Sequence, residues 1–269
     1  VDENCLGKYF VDDFWKIPRL SDLNASDVIS YCKKENIGVV IPTRDGELEF
    51  FAKIKDQLKE NNVIVMASNT LSVVTCVDKL EFSKLGDSIN AIPSYESVDD
   101  CKSEYFVVKE RYGAGAISIG LNLNKKESLE HMKSLQNPIV QPFIGGYEVS
   151  VDAYIPQDGS IKGIVMRKRD VVVNGESQVT STFENLELEN TFGEVLERLN
   201  LYGHVILQAM IESDGNVHVV ECNARFGGAS TLSIQAGLDS FYWLYLESMG
   251  INVKDYPFIR SIKKIVQVR

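Results

Sequence analysis

The chain has 269 residues, with 28 basic and 38 acidic side chains and a formal net charge of −10 at pH 7. Its 44% hydrophobic and 25% charged residues are those of a globular protein with a sizeable core, which excludes collagen-like, disordered and coiled-coil classes. No apolar run approaches the ~18 residues of a membrane span, and the acidic balance argues against a nucleic-acid binder, which carries a basic stripe.

Five cysteines, Cys5, Cys32, Cys76, Cys101 and Cys222, are odd in number and lack CxxC spacing. They read as reduced thiols of a cytoplasmic protein. His131, His204 and His218 sit near no cluster of zinc ligands.

In chain order, Ile37–Ile41 reads as a short buried strand ending at Pro42. Residues 46–61 follow with apolar positions Leu48, Phe51, Ile54 and Leu58 at helical spacing, with Asp45 as the expected N-cap. Val63–Ala67 is the next strand, and Ser68-Asn69 offers a cap for another helix. Strand, helix and strand at this spacing form a βαβ unit with a parallel sheet. Residues 87–104 read as a connection.

From residue 105 the pattern changes to strand pairs: Tyr105–Lys109, Ile117–Leu123, Ile139–Phe143, Val149–Ile155, Ile161–Arg169, Val205–Ile211 and Val217–Asn223. Helical stretches near 124–135 and 187–200 interrupt them. Asp158-Gly159 and Asp214-Gly215 are hairpin signals. The second half is therefore a mostly antiparallel α+β body.

Four stretches carry candidate chemistry. In strand 217–223, strict alternation puts Glu221 and Asn223 on the face of Val217 and Val219, where a carboxylate needs a cation or metal to compensate it. Gln208 lies opposite across the Asp214-Gly215 hairpin. Gln208, Glu221 and Asn223 form a hard oxygen set suited to magnesium on a nucleotide phosphate. Arg225 and Gly227-Gly228 follow, so a plain Glu–Arg pair beside a glycine turn is the other reading.

The second stretch, Lys109 to Ser118, ends a strand in lysine and continues through Gly113, Ala114, Gly115 and Ala116. It reads as a hairpin flap whose backbone N–H groups face phosphate, or as an ordinary turn; it is neither a Walker nor a Rossmann loop. The third, Gln141-Pro142-Phe143-Ile144-Gly145-Gly146-Tyr147-Glu148, is a two-glycine joint able to offer backbone groups to a purine edge. Glu148 there is a ribose candidate or a surface acid. In the fourth, Arg167 and Arg169 end an apolar strand face, framing an anion site or simply facing solvent.

Taken in order, these stretches resemble the ATP-grasp superfamily, in particular short proteins related to the carbamoyl-phosphate synthase large chain. The resemblance spans roughly Ile37 to Met249. The early lysine of that family matches Lys79 in Val77-Asp78-Lys79-Leu80, and its central lysine matches Lys109. The hinge matches Gln141 to Ile144 with Glu148, and the metal-binding end matches Gln208 and Glu221 to Gly228.

The resemblance implies an α/β and α+β protein with the ATP-grasp fold: an N-terminal parallel βαβ lobe (1–69), connecting helices (70–104), a small flap lobe (105–144) and a larger, mostly antiparallel C-terminal lobe (145–269). It implies ATP as nucleotide, with Lys79 and Lys109 on its phosphates, and with Gly113, Gly115 and Ala116 in the flap. Gln141 and the backbone of Phe143 and Ile144 would read adenine, and Glu148 the ribose. Gln208, Glu221 and Asn223 would position magnesium, or manganese in its place. Arg225 with Arg167 or Arg169 would stabilise the transferring phosphoryl group and the substrate carboxylate.

The implied activity is a ligase that phosphorylates a small carboxylate and joins it to an amine or similar nucleophile, with neither nucleic acid nor membrane as partner and a homodimer as assembly. A nucleotide-binding regulatory or scaffold module with little turnover is the alternative.

Several positions depart from the family pattern. Gln141 replaces the hinge acid, and Glu110 replaces the proline after the central lysine. Ala224 follows Asn223 where proline is usual, Ala116 replaces a flap glycine or serine, and neutral Gln208 weakens a second metal. The family's opening strand and first glycine-rich turn precede the part that matches Ile37; residues 1–30, with Phe14-Trp15-Lys16-Ile17-Pro18, read as the end of that first lobe, so an N-terminal segment is expected to be absent.

Overall fold

A computed structural model describes residues 5–113, 118–173 and 176–269. Helix α1 (Ala25–Lys34) opens on a capping box, in which the Asn24 side chain accepts from the Asp27 N–H and the Asp27 carboxylate accepts from the Asn24 N–H. Strands β1 (Val39–Val40) and β2 (Ile64–Val65) are shorter than the sequence suggests. They pair in parallel, Val39 opposite Ile64, with α2 (Asp45–Lys59) between them, which is the expected βαβ unit.

Helix α2 buries Leu48, Phe51, Ile54 and Leu58, the positions whose spacing predicts it. Its start differs from expectation. Arg44 holds the N-cap position with no side-chain bond, and Asp45 is the first helical residue. The Asp45 carboxylate is drawn instead to the guanidinium of Arg225. Helix α3 (Thr70–Val77) begins at the expected cap, Asn69, which accepts from the Ser72 N–H. Asp78 then caps α4 (Lys79–Ser83) by accepting from the Leu80 and Glu81 N–H groups.

The connection over 87–104 is stitched to the rest by two isolated bridges, Ala91 to Val219 and Tyr95 to Val140. A three-stranded antiparallel sheet follows, from β3 (Phe106–Glu110), β4 (Gly120–Leu123) and, after α5 (Lys125–Met132), β5 (Pro138–Pro142), in the order β4-β3-β5. Ile117, the expected start of β4, lies outside the described residues together with Ala114, Gly115 and Ala116.

The remaining strands are β6 (Tyr147–Ile155), β7 (Gly163–Val173), β8 (Glu176–Phe183), β9 (Gly203–Ile211), β10 (Val217–Asn223) and β11 (Val266–Val268). They form one antiparallel sheet in the order β10-β9-β6-β7-β8-β11. Helices α6 (Leu186–Arg198), α7 (Ser230–Gln235) and α8 (Ser240–Ser248) accompany it. Strand β8 was not expected from the sequence because its Ser and Thr residues mask it. Ser177, Thr180, Ser181 and Thr182 are nonetheless buried, and the Thr180 hydroxyl donates to the Lys168 carbonyl at 2.7 Å.

One face of the six-stranded sheet, with Val149, Val151, Ala153, Leu207, Ala209 and Val219, packs on α6 through Phe192 and Leu196. The same cluster continues into Leu48, Leu58 and Val73, so the βαβ unit and the large sheet share one core. The opposite face is half covered by a second cluster around Tyr154, Val165, Phe226 and Trp243. Its other half carries the polar residues described next. Between β5 and β6, Gly146 has φ 142°, and a Cβ there would lie 2.1 Å from the Ile211 carbonyl oxygen. Only glycine fits this crossing from the small sheet to the large one.

Candidate active site

Strand alternation raises Glu148, Ser150 and Asp152 from β6, Arg167 and Arg169 from β7, and Gln208 from β9 on one face, since Ser150 pairs with both Arg167 and Gln208. Glu221 stands opposite Gln208, as the hairpin predicts. The face assigned to Glu221 and Asn223 is corrected, however. The register shifts between Val219 and Glu221, leaving Val220 as the extra residue of a bulge. Val219 and Cys222 therefore both point into the core, at 0% and 1% exposure, while Glu221 and Asn223 turn to the polar face. The bulge, and not an apolar face end, presents this carboxylate.

Lys109 enters from β3 and is buried, at 7% exposure. Burial pushes its ammonium down to about 8; Lys79 lowers it further, while Glu221 and Glu148 oppose the shift. Lys79, Lys109, Glu148 and Glu221, expected to act on one nucleotide from sequence positions 142 residues apart at the extremes, thus share one electrostatic neighbourhood. The Lys79 Nζ donates to the Gly113 carbonyl at 2.7 Å and lies 3.9 Å from Glu221 Oε2.

Both sides of the lysine-bearing cleft are anchored by Asp78. Its carboxylate accepts from Arg111 Nε at 2.7 Å, Arg111 Nη2 at 2.5 Å and the Tyr112 hydroxyl at 3.0 Å. Burial alone would raise this carboxyl; the Arg111 bonds, the helix N–H and Tyr112 outweigh it and hold it below its ordinary value. Glu110, the residue in place of the family proline, accepts from the Gln136 and Asn137 N–H groups at 2.7 and 2.8 Å.

At the hinge, Gln141 is 3% exposed and its amide nitrogen donates to Ser94 Oγ at 2.9 Å. The Phe143 N–H is taken up by the Tyr105 carbonyl at 2.9 Å.

The three arginines already have carboxylate partners. Arg225 is paired with Asp45, and its Nη2 also donates to Asn223 Oδ1 at 3.2 Å. Asn223 in turn donates to Glu221 Oε1 at 3.2 Å. Arg169 is paired with Glu148. Arg167, only 3% exposed, donates through Nε to Asp152 at 2.5 Å. Asp152 is itself fully buried and accepts from Ser230 Oγ at 2.9 Å, while His204 Nε2 lies 3.1 Å away. Burial would raise the Asp152 carboxyl, but Arg167 and His204 together hold it well below its ordinary value. The Ser230 hydroxyl also accepts from the Gly227 N–H at 3.0 Å, so this network fixes the loop just past Arg225.

Sequence reasoning missed Asp45, His204 and Ser230, since each acquires its role from a partner distant in the chain. Asp152 was legible only as one of a row of polar residues on alternate positions.

The donors Glu221, Asn223 and Gln208 supply one carboxylate and two neutral oxygens, which fits magnesium completing its shell with phosphate and water. Among the described residues no group of three or more His, Cys, Asp or Glu is arranged to hold a metal ion by itself. No helix among them is long and apolar enough to cross a membrane.

Residues 76–229 match the model of the ATP-grasp domain, and residues 3–66 match that of the PylC-like N-terminal domain. No curated protein matches the chain. Among solved structures, the biotin carboxylase domain of Hydrogenobacter thermophilus 2-oxoglutarate carboxylase, in complex with MgADP and bicarbonate, superposes with a TM-score of 0.77 at 12% identity. It covers 97% of this chain and 65% of its own. Campylobacter jejuni biotin carboxylase gives 0.74 at 12% identity over 93% and 63%. An L-amino acid ligase from Bacillus licheniformis gives 0.60 at 17% identity over 80% and 57%. The chain thus spans between 57% and 65% of the length of these structures.

Proposed function

The chain belongs to the ATP-grasp family, and we propose that it is an ATP- and magnesium-dependent ligase that activates a small carboxylate as an acyl phosphate and joins it to an amine or related nucleophile. The observation that carries this reading is the meeting of Lys79, Lys109, Glu148 and Glu221 around one cleft. Phosphoryl transfer asks for positioning and charge neutralisation more than for covalent catalysis, and this set supplies both.

In this reading Lys79 and Lys109 hold phosphates, and Gln141 with the Phe143-Ile144 backbone takes adenine. Glu148 takes ribose. Glu221 with Asn223 and Gln208 holds magnesium, which neutralises phosphate charge when bound. Arg225, already oriented by Asp45, meets the transferring phosphoryl group and the substrate carboxylate. Arg167 and Arg169 serve behind it from β7. Gly113 opens the flap; Gly115 and Ala116 lie outside the described residues. We assign 1–69 to the βαβ lobe, 70–104 to connecting helices, 105–144 to the flap lobe and 145–269 to the C-terminal lobe.

The five cysteines are free, which supports a cytoplasmic place for it. A homodimer is the expected assembly; the Hydrogenobacter domain was itself crystallised as a dimer.

Phosphate release from ATP and magnesium, measured against pooled amino acids, sugar acids and amines, tests the reaction. A ligand at ~100 times its dissociation constant adds about 2.7 kcal/mol of stability, so ATP with magnesium should raise the melting temperature measurably. No shift at millimolar nucleotide overturns the reading. Binding without turnover against every pool favours the regulatory module, for which the neutral Gln208 speaks.

A further inference from the structure

Away from the face that carries Lys109 and Glu221, a cavity of about 390 Å³ opens between α2, the end of β2 and residues 200–202. That volume is many times the ~30 Å³ share of a water molecule and falls within the range of small-molecule sites. Helix α2 sends Lys55 and Lys59 into its lining one turn apart. Like charges at this spacing repel, so the arrangement is unfavourable unless something compensates it.

Little in the protein does. Neither lysine forms an ion pair among the described residues, and the Lys55 ammonium donates to the Ala67 carbonyl at 3.2 Å. Burial lowers the Lys55 pKa, with Asp56 opposing and Lys59 adding to the shift. Asp56 is the one acidic lining residue, so two cations face a single exposed carboxylate. Tyr202 lines the same cavity, and its hydroxyl is buried beside the Gln157 side chain, within reach of the Glu247 carboxylate's field. Gln157 adds an amide at the rim.

A surplus of positive charge, with Lys55 half withdrawn from water and Lys59 at the rim, beside a phenol and an amide that can donate, is the complement of an anion. We propose that this cavity binds a compact polyanion, a molecule with two or more carboxylate or phosphate groups, between Lys55, Lys59 and Tyr202. Two separated ammonium groups favour a ligand with more than one anionic group. The ligand would bridge α2 to the segment that Ser68 and Asn69 already hold, where the Tyr202 N–H donates to Ser68 Oγ at 2.9 Å and Asn69 Nδ2 donates to the Asn200 carbonyl at 3.1 Å. Asn69 is also the cap of α3, whose far end leads into Lys79.

Calorimetric titration of the whole chain with citrate and, separately, with inorganic pyrophosphate tests this, at constant ionic strength and without divalent cations. The two arms distinguish a carboxylate from a phosphate ligand. Saturable binding of at least one is expected, weakened at least tenfold in the Lys55→Met/Lys59→Met variant and several-fold in Tyr202→Phe. Lys59 is exposed, so Lys59→Glu keeps the fold and should abolish binding even if the double variant is poorly folded. Lys109→Met should leave this binding unchanged. Saturation by neither anion overturns the proposal, as does binding lost in Lys109→Met but retained in Lys59→Glu, which would move the anion to the nucleotide cleft.

Discussion

Asp45 and Arg225, 180 residues apart, meet in a two-point ion pair, Nε to Oδ1 and Nη2 to Oδ2, each at 2.5 Å. The pair joins the first turn of α2 to the loop that follows Glu221 and Asn223. With Nη2 also on Asn223 Oδ1 and Nη1 on the Phe226 carbonyl at 3.0 Å, the guanidinium is fixed in direction and keeps one N–H and its full charge for phosphate or carboxylate oxygens.

Asp45→Asn should therefore lower turnover more than nucleotide affinity, by about tenfold against less than threefold. Arg225→Ala removes a charge-stabilising donor itself and should cost about 100-fold in turnover. The double variant should be no worse than Arg225→Ala, because Asp45 acts through the arginine. Additive losses, measured by steady-state kinetics once a substrate is found, would separate the two roles.

Glu221→Ala should behave in the opposite way, weakening magnesium-dependent ATP binding directly. Equilibrium binding with and without magnesium reads this. The loss should be large with the metal present and small without it.

Lys109 gives the cleft a pH dependence. Its ammonium is pushed down to about 8 by burial, so the empty protein has lost about half of this proton by pH 8 and most of it a unit higher. Bound phosphates favour the charged form, and binding above pH 8 must then take up a proton. Nucleotide affinity should change little from pH 7 to 8 and fall by up to tenfold per unit above it. Calorimetry in two buffers of different ionisation enthalpy should show proton uptake at pH 8.5 and little at pH 7. An affinity level to pH 9.5 would refute this assignment.

The same lowered value acts on stability. Between about pH 8 and the ordinary lysine value of 10.5 the unfolded chain binds more protons at this site than the folded one. This one group therefore makes the empty protein more stable as pH rises through that window.

Asp152 is read first through stability. Asp152→Ala leaves the Arg167 guanidinium, 3% exposed, without its counter-charge, and breaking such a buried pair costs about 3–5 kcal/mol. Urea unfolding should register most of that. A loss below about 1 kcal/mol would mean that Arg167 finds water or another partner.

The βαβ unit and the antiparallel body were legible in the sequence because Leu48, Phe51, Ile54 and Leu58 keep helical spacing and because Asp158-Gly159 and Asp214-Gly215 mark real hairpins. Glu221 opposite Gln208 was legible for the same reason. What the pattern hides is any local break in period. A single bulge residue, Val220, reverses the faces beyond it, and nothing in Val217 to Asn223 announces it. Asp45 reads as a cap because caps are local, whereas its partner comes from the far end of the chain. Strand β8 escapes because buried hydroxyls such as those of Ser177 and Thr180, which donate to backbone carbonyls, look the same in sequence as exposed ones.

Asp78 gives the two sides of the cleft a common fate. One carboxylate starts the helix that opens with Lys79 and also grips Arg111 and Tyr112, just past Lys109. A change at Asp78 disturbs both lysine-bearing segments at once, and a change at Arg111 leaves a shielded carboxylate with its strongest partner gone. Neither residue is free to drift alone. Across descendants of this sequence the two positions should change together or not at all, and a library randomised at both should recover acid–base pairs far above chance.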